Sequence, residues 1–457
     1  MSFSGRVRAV ALALTIAVVP ATAHAESLRQ ALASAYLNNP DIMSALLSVK
    51  ATAEGIAVAK AGERPSIGIS GSLGGNFRAP VDGDFSTGYS YQLGASYNQT
   101  LFDNFQTDAA IEQARALTEV SKYSLRNSEQ NVLLSVVQAY YAVIRDTQLV
   151  QLRADNMKFF DAQVTSAEDR LRLGEGTRID VSQAKARQAQ AVASYRAAVA
   201  SLQTSQASYQ RWVGHKPSNL TSDFNFGRLI PSSIDAAIEL AETRHPALLS
   251  ARASIRAAQA GSDQASAAFG PTLNLIGSLC GIGCFTNATT GEPAGGMSGS
   301  VSLSLSIPIY AGGALGANIR KANLNQIKSE VDALSARDQI RESVISAWST
   351  LQNASAQITS AQSGVESNRL VVEGTVSERD VGQKTTLDVL DAQADLTTAQ
   401  ESLITARATK MIATFSLLAA SGRLSAEDLQ LDVKVHSADG YIASVEDVWA
   451  ELRAIND

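Results

Sequence analysis

Asp388 and Asp391 stand three residues apart in Thr386-Leu387-Asp388-Val389-Leu390-Asp391, a spacing that sets both carboxylates on one face of a helix. Two kinds of chemistry fit. Near a helix start, such an Asp caps backbone N–H groups and offsets the helix dipole. Gathered around an axis of three chains, the pair would instead make rings of carboxylates that attract cations, exclude anions and bind multivalent metal ions, with crowding that raises some of their pKa values. Asp180 holds the matching place in Arg178-Ile179-Asp180-Val181. Catalysis finds little to use. His215, His245 and His436 are scattered, without the spacing of a zinc protease. Gly382-Gln383-Lys384-Thr385 has Gln383 and Glu378 where a phosphate-binding loop needs glycines, and the serines lack a nucleophile-elbow context. No enzyme, cofactor or metal centre is indicated. Cys280 and Cys284 are too few for a disulfide framework or a zinc cluster. In an exported chain a bridge between them would close a small external loop, and two free thiols are the alternative.

The elements that would position these residues begin after a leader. Arg6 and Arg8 precede an apolar run from Ala9 to Val19, and Ala23-His24-Ala25 forms a cleavage site, so 1–25 reads as a secretory signal peptide. Of 457 residues, 18% are charged, with 38 Lys plus Arg against 44 Asp plus Glu. That balance argues against a disordered acidic chain and against a basic nucleic-acid binder. No later run of 18 consecutive apolar residues offers a transmembrane helix, so contact with a membrane would have to be made by a β-barrel.

A repeat organises the chain. Asn39-Pro40 recurs as His245-Pro246, then, at a shift of 208, Gly174 recurs as Gly382, Asp180-Val181 as Asp388-Val389 and Gly214 as Gly422. So long a period marks a duplicated half-molecule rather than a solenoid. The expected parts are a first repeat over 26–214, a connector over 215–232, a second repeat over 233–422 and a C-terminal segment over 423–457. Each repeat reads as a helix, a β-hairpin (about 66–102 and 272–310) and a long helical hairpin (about 104–212 and 314–420). Prolines are absent from 81–216 and from 309–457, which permits very long helices.

The strands carry the sharpest pattern. Over 66–77 the odd positions hold Ile67, Ile69, Leu73 and Phe77 between Ser, Gly and Asn, and 89–101 and 299–309 alternate likewise; 272–283 is less clean, with Ile276 and Ile282 on the polar side. Such alternation over about a dozen residues suits a tilted strand crossing a bilayer, one face on lipid and one on a wet lumen. The aromatic girdle would rest on Tyr89, Tyr91, Tyr97, Phe77, Phe102 and Phe285, since Trp212, Trp348 and Trp449 lie outside the strands. Four strands cannot enclose a passage and about eight are filled by side chains, so a homotrimer with a twelve-stranded barrel is the physical expectation. A helix from 105 to 173 would run about 100 Å at roughly 1.5 Å per residue. The stripe from Leu390 to Leu418 turns polar at Thr397 and Glu401.

The signal peptide, the two halves and the paired turns Gly174–Val181 and Gly382–Asp391 resemble the TolC family of outer-membrane channel proteins over essentially the whole mature chain. The resemblance implies an α+β membrane protein: four transmembrane strands per chain in a trimeric barrel, and long antiparallel helices forming a periplasmic helical barrel. It implies Asp388 and Asp391 as acidic rings at the periplasmic mouth and Lys384 with Asp180 in polar links that close it. It further implies Leu173, Gly174, Val381 and Gly382 at tips where a periplasmic adaptor docks. Arg379 stands where some members place a Tyr. The implied function is the outer-membrane exit duct of drug efflux or type I protein secretion, driven by an inner-membrane pump or ABC transporter. A non-conducting coiled-coil stalk anchored in the outer membrane is the alternative.

Overall fold

The computed structural model describes residues 26–221 (except 80 and 84), 229–284 and 294–449. The expected signal peptide, part of the connector and Phe285 lie outside them. Each repeat opens on a helix broken at one residue: α1 (Leu28–Asn38) and α2 (Pro40–Lys60), then α5 (Ile234–Arg244) and α6 (Pro246–Ala267). The break has the same cause twice. Asn39 and His245 are extended, each side chain accepts a backbone N–H two residues on, and proline follows as the first residue of the next helix, where its missing N–H costs nothing.

The strands β1 (Ser66–Arg78), β2 (Ser86–Phe102), β3 (Thr272–Cys284) and β4 (Ala294–Ser306) form one antiparallel sheet in the order β1-β2-β3-β4. The register pairs even with even positions, Ser66 with Asn98, Asn98 with Ile276 and Ile276 with Ser302, up to a shift after Thr100 that sets Phe102 opposite Leu273. The odd positions therefore share one face, where Ile67, Ile69, Leu73, Leu93, Val301, Leu303 and Leu305 are all exposed. A shift of one residue in any ladder would have moved a whole strand's apolar set to the other side. Ile276 does lie on the polar side, opposite Asn98 and Ser302. β4 differs from expectation: it runs from 294 to 306 and releases Ile307 and Ile309 ahead of and behind Pro308, which has no N–H to give a ladder.

Two helical hairpins follow the strand pairs, α3 (Gln106–Leu173) with α4 (Arg178–Val213) and α7 (Ala314–Asp380) with α8 (Thr386–Ala420). Their environments differ. α3 is packed by α2, α4, α6 and α8, while α7 carries Leu324, Ile327, Val331 and Leu334 exposed. Although α2 and α8 are long and apolar enough to cross a bilayer by composition, both lie against α3, and Ile42, Leu46 and Val49 of α2 with Phe415 and Leu418 of α8 serve the helical core. That core gathers Tyr36, Leu133, Val137, Tyr140, Tyr209, Phe415 and Leu418 around the repeat junction.

The strand-to-helix corner needs two successive left-handed residues. In the second repeat they are Gly312 and Gly313 (φ 63° and 84°), and in the first Asn104 and Phe105 (φ 57° and 65°), which as non-glycines cost about 1–2 kcal/mol each. The C-terminal segment climbs back along α2 towards this corner. His436 stacks on Tyr36 with ring centroids 4.9 Å apart. The Tyr441 hydroxyl of α9 (Asp439–Val445) donates to Glu54 at 2.6 Å, and Lys60 pairs with Asp447 at 3.1 Å.

Gly214 and Gly422 close α4 and α8 in the left-handed region (φ 97° and 71°), but a Cβ would meet only the Asn38 side chain, at an ordinary 4.0 Å, at Gly214 and the His245 backbone at 2.9 Å at Gly422. Gly214→Ala is therefore expected to cost about 1 kcal/mol and Gly422→Ala clearly more, as measured by denaturant unfolding of the two variants. Equal losses would show that the close approach to His245 carries no energy.

Candidate functional site

The site lies at the far end of the helices, where the two tips have one architecture. α3 ends at Leu173; Gly174 turns left-handed (φ 81°) and Glu175 N–H donates to Arg170 O at 2.8 Å. At the second tip Gly382 (φ 79°) turns the chain and Gln383 N–H donates to Glu378 O at 2.8 Å. Both closures return a backbone N–H five residues to satisfy a carbonyl left over at the helix end. Leu173, Val381 and both glycines are exposed there.

Each following helix starts with a reciprocal cap. Thr177 Oγ1 accepts Asp180 N–H at 3.2 Å, while Asp180 Oδ2 accepts the Thr177 N–H at 2.9 Å and hydroxyl at 2.7 Å. Thr385 and Asp388 repeat it at 3.2, 2.8 and 2.7 Å. The hydrogen bonds from Thr385, backbone first, hold the Asp388 carboxyl below its ordinary value, with Lys384 adding a smaller pull. Those from Thr177, with Arg170 beside it, do the same for Asp180. Within one chain both carboxylates are thus capping groups. Lys384 is exposed and acts on Asp388, whereas the cation felt by Asp180 is Arg170. The described contacts do not join Lys384 to Asp180.

Asp391 behaves differently. Its Oδ1 accepts from Arg187 Nη2 of α4 at 2.5 Å, a partner that sequence reasoning missed. Arg187 stands two turns beyond Asp180 and Asp391 one turn beyond Asp388, so the matched starts of α4 and α8 carried the clue. Further up, Arg379 reaches Gln163 of α3 at 3.0 Å, Thr397 Oγ1 donates to Asn156 Oδ1 at 3.0 Å in a buried contact, and Arg153 pairs with Glu401. The polar interruption at Thr397 and Glu401 therefore has a use: these side chains tie the second hairpin to α3. Leu390, fully buried among Phe160, Val164, Val181 and Ala184, supplies the apolar part of the same joint.

Cys280 and Cys284 correct an expectation. β3 runs straight through both, which sets their Cα atoms about 13 Å apart at roughly 3.4 Å per residue, beyond the roughly 7 Å limit of a disulfide. Cys280 is a free cysteine, within 3.1 Å of Gln92 Nε2. Among the described residues no group of three or more His, Cys, Asp or Glu could hold a metal ion. A cavity of about 580 Å³ lies beside Tyr36, Glu129 and His436, far from the tips. Glu129 is buried there, its carboxyl pushed up by desolvation, and accepts the Tyr36 hydroxyl at 2.8 Å.

An exposed apolar sheet face, two long helical hairpins and acidic caps at their tips define an outer-membrane channel protein with a long helical body. Residues 31–215 and 237–423 both match the family model "Outer membrane efflux protein", and the chain belongs to that family. It is 35% identical over 430 residues to the outer membrane efflux protein BepC of Brucella suis, covering 94% of this chain and 92% of that one. To the outer membrane protein TolC of Escherichia coli K12 it is 24% identical, over 92% and 87% of the two chains. The solved CmeC outer membrane channel of Campylobacter jejuni superposes with a TM-score of 0.74 at 16% identity, over 92% of this chain and 89% of that one.

Two outcomes follow from the joint. Thr397→Val strands the buried Asn156 amide and is expected to destabilise the fold by about 1–3 kcal/mol, read by thermal or urea melting against Thr398→Val on the exposed side. Because the folded-state pKa of Asp388 is lowered, its capping contribution is complete above the ordinary Asp value of about 3.9 and is lost as pH falls through the lower folded value. A carboxyl titration followed by NMR should place the Asp388 midpoint below the ordinary Asp value.

Proposed function

We propose that three copies of this chain form the exit duct of an efflux or secretion assembly, through which an inner-membrane pump or ABC transporter, coupled by a periplasmic adaptor, discharges its cargo. The observation that carries this reading is the sheet: four strands, one apolar face, and unpaired outer edges on β1 and β4. In lipid an unpaired edge is untenable. Joining β4 of one copy to β1 of the next supplies twelve strands, and the small Ser and Gly residues of the even face leave the lumen wet rather than plugged, which disfavours a non-conducting stalk. The exposed stripe Leu324, Ile327, Val331 and Leu334 on α7 supports burial against a neighbouring copy.

On this reading the repeats 26–214 and 233–422 build the wall, 215–232 joins them and 423–457 belongs to the periplasmic body. Asp388 and Asp391 form two acidic rings at the mouth. Lys384 and Asp180 link neighbouring copies, since within one chain they are apart. Leu173, Gly174, Val381 and Gly382 offer the adaptor exposed tips. Arg187 joins this set: by holding Asp391 it ties α8 to α4 and offsets part of the inner ring's charge.

Single-channel recording in planar bilayers tests the reading. The wild type is expected to give a small, cation-selective conductance, Asp388→Ala with Asp391→Ala to lose selectivity, and Arg187→Ala to conduct more with selectivity kept or raised. Unchanged reversal potentials in the double variant would refute the acidic mouth.

A further inference from the structure

The sequence leaves Trp449 some 140 residues beyond the last strand, and the strand aromatics alone appeared available for the membrane girdle. The fold changes that. The C-terminal segment climbs from Tyr36 of α1 along α2, through Glu54 and Lys60, until Arg64 Nη1 donates to the Val448 carbonyl and the Arg64 guanidinium covers the Trp449 ring at 4.6 Å from its centroid. Arg64 stands two residues before β1, and Ile67 opens the exposed apolar face. At roughly 3.3 Å per residue this sets the Arg64–Trp449 pair about 7–10 Å below that face. Along strands tilted by about 45° that is a depth of about 5–7 Å, and each headgroup layer of a bilayer is about 5–7 Å thick, half the difference between roughly 30 Å of hydrocarbon and 40–45 Å overall.

Two features at the same level agree. The Trp449 ring is 70% exposed despite its cation partner, and an amphipathic indole beside a guanidinium suits a phosphate-bearing interface. Phe105, at the corner where β2 becomes α3, is also exposed, and it holds a left-handed conformation that the second repeat gives to Gly313. An apolar ring kept exposed at a position that favours glycine has no packing reason inside the chain beyond its edge contact with Phe102.

We infer that the C-terminal segment is a membrane-interface anchor: it carries Trp449, seated on Arg64 and level with Phe102 and Phe105, into the headgroup layer of the periplasm-facing leaflet, where it binds phospholipid and fixes the depth of the barrel. The inference depends on the sheet standing in the membrane, which flotation of the reconstituted protein with vesicles checks separately. The other two tryptophans, Trp212 and Trp348, are partly buried in the helical body.

The full-length protein is reconstituted into phosphatidylcholine–phosphatidylglycerol vesicles, either unmodified or brominated at shallow or deep acyl positions, and tryptophan emission is read for the wild type and for Trp449→Phe. Shallow bromines are expected to quench about one third of the wild-type emission, deep bromines less, and the quenchable fraction should vanish in Trp449→Phe. Arg64→Gln should shift quenching from shallow bromines towards aqueous iodide. Equal lipid quenching in wild type and Trp449→Phe, or quenching of Trp449 by iodide alone in vesicles that float with the protein, would overturn the inference.

Discussion

One constraint governs the rest: a backbone strand in lipid must have every N–H and C=O paired, and its side chains must sort by face. The four strands meet the second demand internally, because three ladders in succession keep the same parity along the sheet, out of step only at one end of the β2–β3 pair. They cannot meet the first, since both outer edges are bare. The single irregularity, the shift between Thr100 and Phe102, falls at the base of the sheet, where the strand must bend into a helix and a bulge is well placed. Below it, everything in the helical body serves to hold that sheet at a fixed attitude.

Duplication gave the two halves one backbone and left them different duties. Broken first helix, corner, left-handed tip and reciprocal cap recur at shifts of 206 to 208, down to hydrogen bonds that agree within 0.1 Å at Thr177–Asp180 and Thr385–Asp388. What diverged is burial. α3 lies among five other helices, and α7 bares the stripe Leu324, Ile327, Val331 and Leu334 in its first third. The cross-ties Arg187–Asp391, Arg379–Gln163, Thr397–Asn156 and Arg153–Glu401 all join one half to the other, so the hairpins are stitched near the tips rather than merely packed.

Much of this was legible in the residues. Period-two alternation found the strands, proline-free stretches found the helices, and the repeat found the tips, because each rests on local geometry that one segment expresses by itself. The capping reading of Asp180 and Asp388 was equally local and describes the single chain. The partners that were missed, Arg187 for Asp391 and Arg64 for Trp449, lie 204 and 385 residues away along the chain, and no periodicity announces which faces two distant helices will turn to each other. Cys280 and Cys284 misled for the opposite reason: close in sequence, they are held apart by the extension of the strand that contains both.

The lengths of α3 and α7, 68 and 67 residues, carry a consequence for how such a chain can evolve. Each added residue lengthens a helix by about 1.5 Å and rotates everything beyond it by about 100°. An insertion in one helix alone would turn its tip out of register with Arg187, Gln163 and Asn156 and break the stitching. Reach can therefore change only in coordinated steps near seven residues, made in all four long helices. The span of the body behaves as a ruler graduated in heptads, and relatives that reach different distances should differ by whole graduations.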